Sequence, residues 1–173
     1  LLALLEKHVP EAELLLWPFD ESPAIEAMLY KRFPQLEIVH GRVGSCGPDT
    51  PALSDAFERA QLLIHGAGPC LMAIDSLEGW RRFTNKPYGV FGITLETVDE
   101  RERNILSQAS FVYTREKRSL ETLLSLELKD VLCDFTPDAC VAADVLNEDK
   151  AQSWMKHAGL EAGNFLVAIP RNR

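Results

Sequence analysis

The chain has 173 residues, 46% of them hydrophobic and 25% charged, which suffices for one substantial core and reads as a water-soluble protein. A net charge of −8, with Lys and Arg scattered among Asp and Glu, argues against nucleic acid as a partner, and no window approaches the roughly 18 apolar residues of a membrane span. Cys46, Cys70, Cys133 and Cys140 form no CxxC pair and have no His at zinc-ligand spacing, so reduced cytoplasmic thiols are expected and a metal site is not.

Residues 1–7 read as the interior of an amphipathic helix with no N-cap residue, and the expectation is a piece of a longer α/β protein. Apolar runs follow at 13–17 (ELLLW), 36–40 (LEIVH), 62–65 (LLIH), 88–93 (YGVFGI), 110–114 (SFVYT), 130–133 (DVLC) and 165–169 (FLVAI). Runs without polar alternation predict strands buried on both faces, as in a parallel sheet between helices. Helices are predicted over 22–33, 99–108, 116–126 and 148–158. The first has Pro23 at its first position and Ile25, Met28 and Leu29 on one stripe, and Gly159 is a left-handed terminator for the last. GRVGSCGPDTP at 41–51 is the one loop-rich stretch, either a surface loop or a join across missing residues. Trp17, Trp80 and Trp154 read as packing residues. The βαβα alternation predicts an α/β, doubly wound, parallel Rossmann-like sheet.

Ligands of such sheets bind beyond the carboxyl ends of the strands, so four strand ends matter. His65-Gly66-Ala67-Gly68-Pro69 stops an apolar run at a histidine and a small-residue turn. Its N–H groups suit a phosphate or carboxylate, although the same turn also serves plain strand-to-helix packing. After the next run, Thr94 offers a hydroxyl and Glu96 a carboxylate that either carries a proton or is merely solvated. Arg115 follows the third at a helix start, where a guanidinium and the helix dipole suit an anion; pairing with a neighbouring acid is the other reading. Ser119 lies four residues on, on the same helical face. Asp138, in the T-P-D turn after the fourth run, either stabilises that turn, orients Arg115 or accepts a substrate proton.

These segments, in this order, resemble the polysaccharide pyruvyl transferase family. LLIHGAGP is similar to that family's strand, Gly-rich turn and Pro; KPYGVFGITLE to its K-P-x-x-x-x-G strand; SFVYTREKRSLETL to its strand-Arg-Glu-x-x-Ser segment; and FTPDACVAAD to its P-D-A/P segment. The resemblance runs over most of 61–144, and IPRNR resembles the strand that opens the family's second domain. It implies the N-terminal half of a GT-B-like two-domain enzyme. Residues 1–147 would form a Rossmann-like domain lacking its first strand, and residues 148–173 the helix and opening strand of a second such domain.

The implied reaction transfers a pyruvyl ketal from phosphoenolpyruvate to a sugar of a cell-surface polysaccharide, in the cytoplasm and with no further cofactor. The implied roles are proton transfer by His65 and Glu96, and substrate binding by Gly66, Gly68, Thr94, Arg115, Ser119 and Asp138. The sequence departs from the family in carrying His-Gly-Ala-Gly in place of a triple glycine, and the piece alone is expected to be inactive. A nucleotide-sugar glycosyltransferase of the same fold and a non-catalytic anion-binding module are the alternatives.

Overall fold

The computed structural model describes residues 1–19, 21–66, 68–142 and 147–168. It divides into two compact units, Leu1–Ala142 and Ala143–Arg173. In chain order the first contains α1 (Leu2–His8), β1 (Leu15–Leu16), α2 (Pro23–Arg32), β2 (Glu37–Ile38), β3 (Val43–Gly44), β4 (Gly47–Pro48) and α3 (Pro51–Arg59). It continues with β5 (Leu63–His65), α4 (Ile74–Thr84), β6 (Tyr88–Ile93), α5 (Glu100–Leu106), β7 (Phe111–Thr114), α6 (Lys117–Ser125), β8 (Leu132–Phe135) and a 3-10 turn at Ala139–Ala142. The described part of the second unit contains α7 (Glu148–His157).

The dominant feature is a four-stranded parallel sheet in the order β5-β6-β7-β8, an α/β arrangement consistent with a Rossmann-like fold. Neighbouring strands follow one another in sequence through helices, and right-handed crossovers then place α4, α5 and α6 on one face. β1 and β2 form a separate parallel pair, and β3 and β4 a two-residue antiparallel hairpin.

Burial explains why the central strands read as continuous apolar runs: Tyr88, Val90, Ile93 and Val112 are fully buried. Trp80 stacks edge-on against Phe57, which meets Trp17 in the same way, tying α3, α4 and the end of β1 into one core. Gly89 is there because a Cβ would lie 2.1 Å from Phe111 Cζ on the neighbouring strand. Asp99 starts α5 with a capping box to Glu102, and Thr50 caps α3 through the Leu53 N–H. At the other end of α3 the Lys86 ammonium donates to the carbonyls of Phe57, Glu58 and Ala60 at 2.8, 2.6 and 2.7 Å. Those carbonyls have no intrahelical partner, so the lysine supplies the helix terminus that the sequence FERA lacks a glycine to make.

Several expectations change. The runs at 13–17 and 36–40 contract to two paired residues each, and the 41–51 stretch folds as a hairpin. Two helices, α3 and α4, occupy segments for which no helix is predicted. Both carry the usual signal, with Leu53, Ala56 and Phe57 in one and Leu77 and Trp80 in the other buried at helical spacing. The stripe of α2 stays at the surface, with Ile25 and Met28 exposed, and Trp154 is 62% exposed rather than packed. Residues 165–168 form no strand, since no described segment pairs with them. Ile169 and the rest of IPRNR lie outside the described residues, as do Asp144 to Leu146 of the expected domain boundary and Ala67 of the turn.

Candidate functional site

All four strands of the main sheet run the same way, so their carboxyl ends share one edge. The register fixes how far apart the candidates stand. His65 is level with Val90, whereas Thr114 is level with Ile93 and Gly68 bridges Ile93 from the other side. His65 and Arg115 therefore flank β6 at a lateral separation of about 10 Å, with the Gly-rich turn climbing to the level of Arg115. The two side chains share an edge without touching.

The tip of β6 is shaped by Gly92. Its φ of 70° is left-handed, and the register with β7 shifts between Phe91 and Ile93, the mark of a bulge that turns the chain out of the ladder. The last glycine of the K-P-x-x-x-x-G strand thus serves locally to make the bulge.

Beyond the bulge, Thr94 accepts a hydrogen bond from Arg115 Nε at 2.9 Å, and Arg115 Nη1 donates to Asp138 Oδ2, also at 2.9 Å. Arg115 thus spans the tips of β6, β7 and β8. Among the described residues its Nη2 has no acceptor, and the side chain is 27% exposed. Asp138 is held in turn by the Cys140 N–H at 2.9 Å. That backbone donor, then the Cys140 side chain and then Arg115, lower the pKa of Asp138, while the carboxylate pushes the Cys140 thiol up.

Ser119 sits differently from its neighbours. It is fully buried, accepts from the Leu95 N–H at 2.8 Å and reaches Glu116 Oε1 at 2.8 Å. The hydroxyl staples the segment after β6 to the first turn of α6, which fixes Thr94 beside Arg115. Glu96, one residue further, is exposed and has no hydrogen-bond partner among the described residues.

The His65 end has another character. His65, Gly66 and Gly68 line a cavity of about 270 Å³ with Leu16, Trp17 and Phe19 from the end of β1. His65 Nδ1 is buried with no hydrogen-bond partner among the described residues. Burial lowers the pKa of the ring, opposed only in part by the backbone of His65 and Gly66, so the imidazole is neutral at neutral pH. The wall from β1 was missed in the sequence, where Trp17 reads as packing alone. Its indole does pack on Phe57 and donates to the Gly41 carbonyl at 2.8 Å, but the next residues continue along the cavity.

Comparison with protein-family models matches residues 1–164 to Polysaccharide pyruvyl transferase. The chain belongs to the polysaccharide pyruvyl transferase family. Membership indicates a transferase that moves a pyruvyl group, with a pyruvyl donor and a saccharide acceptor as its general partners. No curated protein and no solved structure matches the chain. The match extends well beyond the motif-bearing region 61–144 and takes in α1, the β1–β2 pair and α7. Among the described residues of this family member no group of His, Cys, Asp and Glu is placed to hold a metal, and no helix is long and apolar enough to cross a membrane.

Proposed function

We propose that this chain forms the N-terminal half of a GT-B-like, two-domain enzyme that transfers the pyruvyl group of phosphoenolpyruvate, as a ketal, to a sugar of a cell-surface polysaccharide in the cytoplasm. The observation that carries the reading is the family match across 1–164. Arg115, held on two sides at the carboxyl edge, supports it by supplying an anchored cation with one nitrogen open.

The chemistry asks for few groups. Protonating the methylene carbon of the enol creates an oxocarbenium-like carbon; one sugar hydroxyl adds there, a second closes the ketal, and inorganic phosphate leaves. The donor carries a carboxylate and a phosphate, both matched by guanidinium and backbone N–H donors. In this reading Arg115 and the turn from Gly66 to Gly68 hold the donor over the tip of β6, and Thr94 faces it. Asp138 orients Arg115, and Ser119 acts through Leu95 and Glu116 as a positioning residue. A neutral His65 is suited to accept a proton from an attacking hydroxyl, and the exposed Glu96 is the proposed acid for carbon.

The test incubates the full-length protein with phosphoenolpyruvate and candidate glycans, following inorganic phosphate and the ketal methyl signal by NMR. Acceptor-dependent phosphate release with ketal formation is the expected result. Release of a nucleoside diphosphate from a nucleotide sugar instead, or binding of phosphoenolpyruvate without turnover, overturns it.

A further inference from the structure

β8 ends the main sheet on the side away from β5, and its outer edge has no neighbour among the described residues. The N–H groups of Leu132 and Thr136 donate to the carbonyls of Ser110 and Thr114 at 3.2 and 2.8 Å, and the register pairs Leu132 to Phe135 with Phe111 to Thr114 of β7. In a parallel ladder alternate residues bond to the same neighbour, so the N–H and C=O groups of Cys133 and Phe135 point away from β7. The rim is apolar as well. Leu132 and Phe135 are 57% and 43% exposed, and so is Leu124 at 56%, on the helix α6 that packs against β8. Open backbone groups beside exposed apolar side chains make a template on which another strand can add.

One bond interrupts that template. Asp134 Oδ1 accepts from the Phe135 N–H at 2.7 Å, a short bond to a charged acceptor. The carboxylate takes the place that the carbonyl of an added strand would need, and it turns negative charge toward any oxygen approaching the edge. The strand best matched to this edge is a second copy of it, because two-fold symmetry makes a β-edge self-complementary. In the antiparallel register that exchanges bonds between Cys133 of one copy and Phe135 of the other, residue 134 stands directly opposite its own counterpart. Two carboxylates would then face each other, which disfavours the pairing further.

We infer that Asp134 is a guard residue: its carboxylate closes β8 to strand addition and so keeps two copies of this chain from joining their sheets edge to edge. The assignment accounts for an aspartate, a poor strand former, inside the short strand LCDF. It owes nothing to the identity of the donor, and Asp134 makes no contact with Arg115, Thr94 or Asp138 in the hydrogen-bonded cluster at the strand tips.

The experiment follows the full-length protein and its Asp134→Ala variant by sedimentation over a range of concentrations, together with amide hydrogen exchange at Cys133. In the wild-type protein the Cys133 amide should exchange rapidly at every concentration, as an open edge requires. In Asp134→Ala the mass should rise to twice the wild-type value as concentration increases, and exchange at Cys133 should slow by at least ~10-fold in the doubled species. Adding Leu132→Lys to that variant should restore the wild-type mass and the rapid exchange, since a lysine on the rim opposes pairing while leaving position 134 as it is. Protection of Cys133 in the wild-type protein overturns the proposal, because the edge is then occupied despite the carboxylate. An Asp134→Ala variant with wild-type mass and exchange overturns it too, and so does association that the lysine does not reverse, which would report misfolding or another surface. Phosphate release should be the same in all three proteins, so the fate of the donor assignment and that of the guard are read separately.

Discussion

The two sides of the His65 cavity are built to different standards. From β5 onward, strands of three to six residues pair in sequence, and Tyr88, Val90, Ile93, Val112 and Leu123 are completely buried. On the other side β1 and β2 pair over two residues each, and neither α1 nor α2 has a buried residue. Local propensity does not account for this, since α2 has a proline at its start and an apolar stripe. What differs is what the elements have to pack against: helices gain most of their stability from burying a face, and a strand pair from having a third neighbour. The sturdy side carries a preset polar cluster, Arg115 with Thr94 and Asp138, and the sparse side faces His65, whose Nδ1 has no hydrogen-bond partner among the described residues.

The largest expected effect falls on the sturdy side. Trp80→Ala removes a ring that is 2% exposed and stacked on Phe57, and should cost about 3–5 kcal/mol in urea unfolding; a loss below about 1 kcal/mol would place the core elsewhere. Arg115→Ala, assayed in the full-length protein, should lower the rate with phosphoenolpyruvate by about 10- to 150-fold, the loss of one charged hydrogen bond in the transition state. Unchanged turnover would reduce Arg115 to a tie between strand tips. Gly92→Ala forces a Cβ into a φ of 70° and should destabilise by about 1–2 kcal/mol.

The His65 end gives a pH signature. Its folded-state pKa lies below the unfolded value of about 6.5, so the unfolded chain takes up the proton first as pH falls. The stability involved is present at neutral pH and declines below about 6.5; denaturant titrations at several pH values on the chain and on His65→Gln should show the decline only in the former. The smallest effect belongs to the sparse side, where Met28→Ala, 63% exposed on α2, should stay within about 0.5 kcal/mol. A much larger loss would show that the helix is covered after all.

The central strands were legible because burial on both faces writes an unbroken apolar run, and the four strand ends were legible because glycine, proline and charged residues punctuate those runs. α3 and α4 were harder to see. Their buried residues are separated by Ser54, Asp55 and Glu78, so the helical period had to be counted rather than noticed. FLVAI misleads for the opposite reason, since an apolar run predicts a strand only where a partner edge is at hand, and in its described part none is. At the site, the sequence named Arg115 and Asp138 and offered their pairing as one reading among others; choosing it took the structure, because the contact crosses from one strand tip to another 23 residues on. The contrast between a guanidinium held on two sides and an imidazole nitrogen without a partner among the described residues is likewise a property of surroundings, invisible in the residues themselves.

The lysine that closes α3 has a bearing on how cations near an anionic donor are counted. Lys86 directs all three of its protons to main-chain oxygens and stands before the first residue of β6, at the end of the sheet remote from Arg115. A positive charge in a Lys-Pro pair ahead of a motif-bearing strand invites assignment to phosphate; here it is a clasp. Acylation of that amine would loosen the junction between helix and strand while leaving the affinity for small anions as it was.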